Sequence, residues 1–280
     1  MDWSEARERL GAPVFAPLRA ALLRLPGERW PAHADLDALA RGVSTARGQP
    51  IRFIAPRART DRERRYYELH IAATGEIETR AQNWHDLFNA LAWVTFRRAK
   101  AAINAQHAAI LEEGGEAESR RRSPARDALT LFDEGGVAVV SSAPHLLELM
   151  VAFEWKELFW NRRDELLATT RFFAFGHGFC EQSLAPYIGM VAKTVFITVD
   201  GSFAGLPTQD QLLRTDELLA AHFADRTNFR SPKAMAPLPA LGVPGWHPST
   251  GMESFYDDAS YFRSRGLGPG NGTRLGFGEV

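Results

Sequence analysis

Apolar and polar positions follow a helical repeat most clearly just before the middle of the chain. Leu87, Leu91 and Val94 recur at helical spacing, and neither Gly nor Pro occurs in residues 85–112. The first half of this segment is apolar on nearly every side, which is typical of a helix buried by several neighbours. The sequence therefore predicts a straight, central helix over residues 84–111.

Short apolar runs on both sides of this helix predict β-strands. The runs IRFIA (51–55) and YYELHIA (66–72) are typical of strands, and Thr74-Gly75 is a turn signal, so YELHIAATGEIETR is predicted as a hairpin leading into the helix. DALTLFDEGGVAVVSS (127–142) predicts a second hairpin, with Asp133-Glu134-Gly135-Gly136 at its turn. RFFAF (171–175) and KTVFITV (193–199) predict two further strands.

The remaining segments complete one domain over residues 1–280. Residues 1–50 are predicted to be helical, and residues 112–126 mix Gly, Pro and charge in the manner of a polar surface loop. Residues 231–280 are rich in Pro, Gly and aromatics, which predicts an irregular wrap over the core. We therefore expect an α+β fold, a single mixed domain with β-hairpins packed around a central buried helix.

Composition limits the partners of such a domain. Thirty-three Lys and Arg against 34 Asp and Glu give a net charge of -1, so no global field attracts nucleic acid or an anionic membrane. One cysteine excludes an intramolecular disulfide framework and suits a reducing compartment. The N-terminal residues lack a signal peptide, and no window approaches the ~18 apolar residues that span a bilayer. A cytoplasmic protein without membrane contact is expected, and binding to nucleic acid is not.

Candidate chemistry concentrates in NWHDLFNALAW (83–93), at the start of the predicted helix. Asn83 is suited to cap the helix, and Asp86 can complement its macrodipole, so part of this polar set has a structural explanation. His85 and Asn89 are four residues apart and share one face, a spacing that suits two metal ligands, or a base and a substrate contact. Asn89 in particular lies inside an apolar run, where capping does not require it. A functional site here and a satisfied polar network are both consistent with the pattern.

Two other segments supply candidate site residues. His177 lies between two glycines after an apolar strand, where the backbone can approach a ligand closely, and Asp127 is placed to join the rim of the helix. Asp133 and Glu134 are interpreted mainly as ordinary turn residues. Cys180 follows closely, but nothing in the sequence indicates a lowered pKa, and we do not predict it as a nucleophile.

Several of these segments together resemble a known family. TGEIETRAQNWHDLFNALAWVTF, RDALTLFDEGG, FGHGF with APYIGMVAK, and PLPALGVPGW with FYDD are similar to an uncharacterised bacterial family, the domain of unknown function 3025. The resemblance covers residues 66–262. A proline commonly follows the position of Phe96 in that pattern, and its absence here favours a straight helix. The resemblance implies one coherent domain and brings no activity with it.

The leading functional hypothesis is a hydrolase acting on a small molecule, dependent on a divalent metal ion or on a His-carboxylate pair. In it His85 is a ligand or general base, Asp86 orients it or binds the metal, and Asn89 fixes the substrate or metal; Asp127 and His177 complete the pocket. A non-catalytic binding or assembly protein is the alternative, with the C-terminal aromatics meeting a partner. A ββα-metal nuclease, with His70 or His85 as base, is the third possibility.

Overall fold

Helices and strands alternate through the part of the chain that this computed structural model describes, residues 2–58, 60, 61, 63 and 66–264. The strands are β1 (Arg52–Ile54), β2 (Glu76–Glu78), β3 (Gly136–Ser141), β4 (Thr170–Ala174), β5 (Val191–Thr198) and β6 (Ala236–Pro239). The α-helices are α1 (Trp3–Arg9), α2 (Arg19–Leu22), α3 (His33–Leu39), α4 (Tyr67–Thr74), α5 (Trp84–Thr95), α6 (Arg97–Arg120), α7 (Pro124–Gly135), α8 (Pro144–Ala152), α9 (Arg163–Thr169), α10 (His177–Gln182) and α11 (Thr208–Ala224).

A mixed four-stranded sheet in the order β4-β3-β5-β6 separates two hydrophobic cores. Strand β3 pairs in parallel with β5 and antiparallel with β4, and it is buried along its whole length. Because side chains alternate across a strand, Val137 and Val139 enter the core that contains α5, whereas Ala138 and Val140 enter the core that contains α7 and α11. The predicted α+β class, with a largely buried helix near the centre, is confirmed.

Both predicted hairpins are wrong, because the first half of each is a helix. Residues 67–74 form α4, which ends at Gly75 with φ 72°, and β2 then pairs in parallel with β1. Residues 124–135 form α7, which runs directly into β3. The run YYELHIA is long enough for two helical turns, and its apolar residues fit either repeat, so packing decides. Among the described residues, α4 and the parallel pair β1–β2 stand in place of the hairpin on which the ββα-metal nuclease hypothesis rested.

The helix predicted over residues 84–111 bends at Phe96 and continues to Arg120. Phe96 has φ -111° and ψ 53°, outside the helical region, so α5 and α6 are separate helices. Asp216 of α11 accepts hydrogen bonds from the backbone N–H groups of Arg98 (3.1 Å) and Ala99 (2.9 Å), which caps the start of α6. The prediction of a straight helix was therefore wrong, although its buried first half is confirmed.

The segment 112–126, predicted to be a polar loop, is mostly helical. It contains the end of α6, distorted at Gly115, and the start of α7, with Ser123 as N-cap. Glu and Arg residues favour helix on an exposed surface, and this outweighs two glycines.

The C-terminal part consists of β6 and short 3-10 turns, and it is rich in aromatics. Tyr256, Tyr261 and Phe262 are buried there. Residues 265–280, the end of the predicted wrap, lie outside the described residues. None of the described helices combines the length and the apolarity needed to cross a bilayer.

Candidate functional site

The start of α5 is organised as predicted by its cap. The Asn83 side chain accepts a hydrogen bond from the backbone N–H of Asp86 at 3.0 Å, which confirms Asn83 as the N-cap. The Asp86 carboxylate accepts two hydrogen bonds from the Arg80 guanidinium, at 2.9 and 2.8 Å. Burial alone would raise the pKa of Asp86, but the Arg80 bonds outweigh it and lower that pKa. Asp86 therefore carries a charge that Arg80 already neutralises.

His85 is oriented by a carboxylate from another helix. Its Nδ1 lies 3.1 Å from Oε2 of Glu181 in α10. With Nδ1–H donating to Glu181, the second ring nitrogen, Nε2, is left with its lone pair, and it lies 3.9 Å from Oε2 of Glu134. A carboxylate behind a histidine in this way fixes both the tautomer and the direction of the free nitrogen.

His177 opens α10 beside His85, and the two flanking glycines permit this approach. A Cβ at Gly176 would lie 2.4 Å from the backbone N of Gly136, and a Cβ at Gly178 would lie 2.7 Å from Glu134 Oε2. No other residue type fits these positions without displacement. The FGHGF motif therefore brings the start of α10 against the end of α7, with the His85 and His177 ring centroids 4.5 Å apart.

Glu134 completes a group of three that could hold a metal ion. Its Oε1 lies 3.4 Å from His177 Nε2, and one ligand atom from each of His85, Glu134 and His177 lies within 4.8 Å of the others. Ligand atoms about 2.0–2.1 Å from zinc are about 3.3 Å apart at tetrahedral angles. The limit of 4.8 Å among the three ligand atoms exceeds this spacing, so the side chains have to close by up to about 1.5 Å to hold an ion.

Asp133 and Glu134 lie at a position where a helix does not favour negative charge. Asp133 and Glu134 are in the last turn of α7, at the negative end of its macrodipole. Burial would raise the pKa of Glu134, but its hydrogen bond with His177 and the histidine charges lower it. Burial likewise opposes ionisation of Asp133, whose pKa is lowered by Lys100 and His177. The pKa values of both side chains are thus lowered despite burial, and a cation held between the histidines and Glu134 would act in the same direction.

Lys100 reaches this group only because the chain bends at Phe96. Its Nζ donates to Asn89 Oδ1 at 2.9 Å and to Asp133 Oδ1 at 2.5 Å. In one straight helix, Asn89 and Lys100 would be about 16 Å apart along the axis, at about 1.5 Å per residue. The bend folds α6 back over α5 and gives Asn89 the buried polar partner that its place in an apolar run requires.

These side chains line one cavity of about 300 Å³, at the small end of the range for ligand sites. Its wall is mainly polar and comes from α4 to α7 and the start of α10, with Arg80 from the turn before α5. The lining includes Glu68, Glu78, Arg80, His85, Asp86, Asn89, Lys100, Asn104, His107, Arg122, Arg126, Thr130, Asp133, Glu134 and His177.

The structure brings together four of the five predicted site residues. His85, Asn89 and His177 line the cavity, and so does Asp86, although Arg80 occupies its carboxylate and it is not one of the three possible metal ligands. Asp127 does not belong to the described lining; its neighbour Arg126 does. Lys100 also lines the cavity and was not predicted as a site residue.

Asp133 and Glu134 also line the cavity, although their sequence pattern was interpreted mainly as a turn. A signal for them was present, since two acids at the end of an apolar helical repeat oppose the macrodipole. Cys180 is buried, and burial raises its pKa to about 12, in agreement with its exclusion as a nucleophile.

Residues 51–266 match the family of proteins of unknown function DUF3025. The chain belongs to this family. The match spans every residue of the three-ligand group and its carboxylate neighbours. No curated protein and no solved structure matches the chain, so the site's geometry is the basis for assigning a function.

Proposed function

We propose that this DUF3025 protein is a metal-dependent hydrolase of a small molecule, with His85, Glu134 and His177 as metal ligands. The observation that carries the proposal is the convergence of both Nε2 atoms on the Glu134 carboxylate, at 3.9 and 3.4 Å, on the wall of a polar cavity. Two imidazoles and one carboxylate are a donor set that suits zinc and other divalent transition metals.

The surroundings of the three ligands fit this role. Glu181 holds His85 by Nδ1, and Asp133 Oδ2 lies 3.7 Å from His177 Nδ1. Each histidine thus has a carboxylate on its Nδ1 side and turns its Nε2 toward Glu134, the arrangement that orients metal-bound histidines in proteins. His177 Nδ1 is buried without a hydrogen-bond partner in the described structure, and a shift of under 1 Å toward Asp133 would satisfy it.

A divalent metal ion held there supplies Lewis acidity toward a carbonyl or phosphoryl oxygen and lowers the pKa of water. The chain's own groups provide the rest. Lys100 carries three N–H donors, of which Asn89 and Asp133 accept two, so the third can meet an oxygen of the substrate. Asn89 accepts from Lys100 through its carbonyl and keeps its amide N–H donors for the cavity. Lys100 and Asn89 would therefore position the substrate and stabilise negative charge developing on it.

Activity with a panel of small esters, amides and phosphoesters tests this function. We expect a metal-loaded protein to hydrolyse one class, and we expect His85→Ala, Glu134→Gln and His177→Ala each to lower kcat/KM at least a hundredfold. His145→Ala is the matched control, because His145 pairs with Glu165 on α9, away from the cavity. Activity that survives in the three site variants would refute the assignment.

A metal-free reaction is the second candidate, since the His85–Glu181 pair is by itself an oriented general base. It predicts activity that resists chelators and is lost in Glu181→Gln. A purely structural or assembly role has less support, because Tyr256, Tyr261 and Phe262 of the C-terminal part are buried against the chain itself.

A further inference from the structure

Two helices carry matching polar stripes across the cavity. On α6, Lys100, Asn104 and His107 are spaced by four and three residues and therefore share one face. Arg126, Thr130 and Asp133 repeat the same spacing on α7. The two helices run in opposite directions, because Asp133 near the end of α7 pairs with Lys100 near the start of α6 at 2.5 Å, whereas Arg126 near the start of α7 donates to the Glu118 carbonyl near the end of α6 at 3.0 Å.

The cavity therefore has two ends with different chemistry. At one end, Lys100 and Asp133 adjoin the proposed metal ligands. Seven residues along α6, a distance of about 10 Å at 1.5 Å per residue, His107 marks the other end. Arg126 lies at this second end, and Arg122 contributes to the same lining. A ligand that spans the cavity meets both ends at once.

The second end contains buried polar atoms that lack partners. His107 and Arg126 are both about 95% buried, at 5% exposure each. Within the described structure, His107 Nδ1, Arg126 Nε and Asn104 Oδ1 have no hydrogen-bond partner. An unpaired buried donor or acceptor costs stability, and all three residues line the cavity, where a polar ligand can complete the bonding after a small side-chain movement.

Two guanidinium groups supply hydrogen-bond donors at this end of the cavity. Arg122 and Arg126 face two carboxylates here: Glu118, which lies 3.5 Å from Arg126 Nη1, and Glu68 of the same lining. Nη1 of Arg126 also donates to the Glu118 carbonyl, which leaves Nε–H directed elsewhere. Glu68 is engaged by Asn104, which donates to its Oε2 at 2.7 Å. The Arg126 Nε–H and the exposed Arg122 guanidinium are the donors that this end offers to an anionic oxygen, although the number of positive and negative groups is equal.

We propose that Arg126, Arg122 and His107 form a subsite for an anionic oxygen group, a carboxylate or a phosphate, at the end of the cavity about 10 Å along α6 from Lys100. The inference rests on the proposed function. If the protein is a hydrolase of a small molecule, the subsite implies that the substrate has an anionic end remote from the bond that reacts. Arginine suits such a role because its planar N–H groups match carboxylate and phosphate oxygens.

Calorimetric titration with inorganic phosphate and, separately, with succinate tests the subsite and distinguishes the two anions. We expect one of them to bind the parent protein and to bind Arg126→Met about tenfold or more weakly, the loss typical of one charge-assisted hydrogen bond. Because Arg126 also ties down Glu118, Arg122→Gln is the second variant; Arg122 is exposed, and its loss leaves those bonds intact. Arg121→Gln is the matched control, an exposed neighbour outside the described lining.

Titration of His177→Ala separates this inference from the proposed function. Unchanged anion binding by that variant, with loss in both arginine variants, supports the subsite even if the protein holds no metal. Binding that is lost in His177→Ala but kept in the arginine variants would place the anion at the metal end and overturn the subsite. Absence of binding by both anions to the parent protein would overturn it as well, and would leave the hydrolase proposal standing.

Discussion

Replacement of Lys100 by methionine removes the cation from a buried ion pair and keeps most of the side chain's volume. The Lys100 side chain is 4% exposed and that of Asp133 is 22% exposed, with Nζ and Oδ1 2.5 Å apart. The variant leaves the Asp133 carboxylate beside the cavity without its main partner. It also leaves Asn89 Oδ1 without the donor that it has in the parent protein.

The loss of one partner from a buried pair costs about 3–5 kcal/mol. Because Asp133 retains some contact with solvent, we expect the lower end, a fall of about 3 kcal/mol in the free energy of unfolding. In large domains, each kcal/mol lost shifts Tm by about 2–4 °C. Tm of the variant should therefore fall by roughly 6–12 °C. Lys100→Met with Asp133→Leu should recover most of this stability, since no unpaired charge then remains.

The stability that Lys100→Met loses should also depend on pH. The pKa of Asp133 is lowered in the folded protein, so its ionisation contributes stability above the unfolded pKa, near 3.9, and that contribution is lost as pH falls through the folded value. In Lys100→Met, burial is no longer offset by the lysine, so the pKa of Asp133 rises and acid relieves the penalty. The difference between parent and variant should therefore be largest near pH 7 and shrink toward pH 4.

Urea unfolding at both pH values, followed by circular dichroism, measures these differences. Lys156→Met is the matched control, because Lys156 forms exposed pairs with Asp257 and Glu253 that solvent screens. An equal loss of stability in both variants, or a loss in Lys100→Met that does not change between pH 7 and pH 4, would refute the argument from the buried pair.

Three further predictions follow from the contacts of single residues. Gly178→Ala should displace the Glu134 carboxylate, because the new Cβ would lie 2.7 Å from Oε2, and should weaken metal binding at least tenfold in equilibrium dialysis, whereas Gly201→Ala, in open space, should not. Asp216→Ala should lower the free energy of unfolding by about 1–2 kcal/mol, because the buried N–H groups of α6 lose their cap; a loss below about 0.5 kcal/mol would contradict this. Cys180 should resist alkylation at pH 8 in the native protein and react on unfolding, since burial raises its pKa to about 12; rapid native labelling would count against its burial.

Local signals were sufficient for those features of the fold that depend on few neighbours. The cap at Asn83, the buried start of α5 and the strands β4 and β5 follow from residue type and spacing over a few positions. The bend at Phe96 does not, because the groups that stabilise it come from Asp216, about 120 residues away. Similarly, α4 and the parallel pairing of β1 with β2 depend on tertiary packing, which overrides weak preferences in short apolar runs.

The candidate site could be predicted in part. His85 and His177 stood out because one interrupts an apolar helix and the other lies between glycines. Glu134 was hidden, because an acid before two glycines fits a turn as well as the end of a helix. The stripes on α6 and α7 are visible as equal spacings in the sequence, but only their packing shows that Lys100 faces Asp133 and that Asp133 lies 3.7 Å from His177 Nδ1.

Metal stoichiometry is the most direct measurement of the central claim. Protein purified without chelators should be dialysed against zinc, and separately manganese, and its metal content determined by mass spectrometry. We expect one ion per chain in the parent and in His145→Ala, and less than about one tenth of that occupancy in His85→Ala, Glu134→Gln and His177→Ala. A parent protein that retains no stoichiometric metal, or a Glu134→Gln variant that retains it fully, would contradict the proposed site.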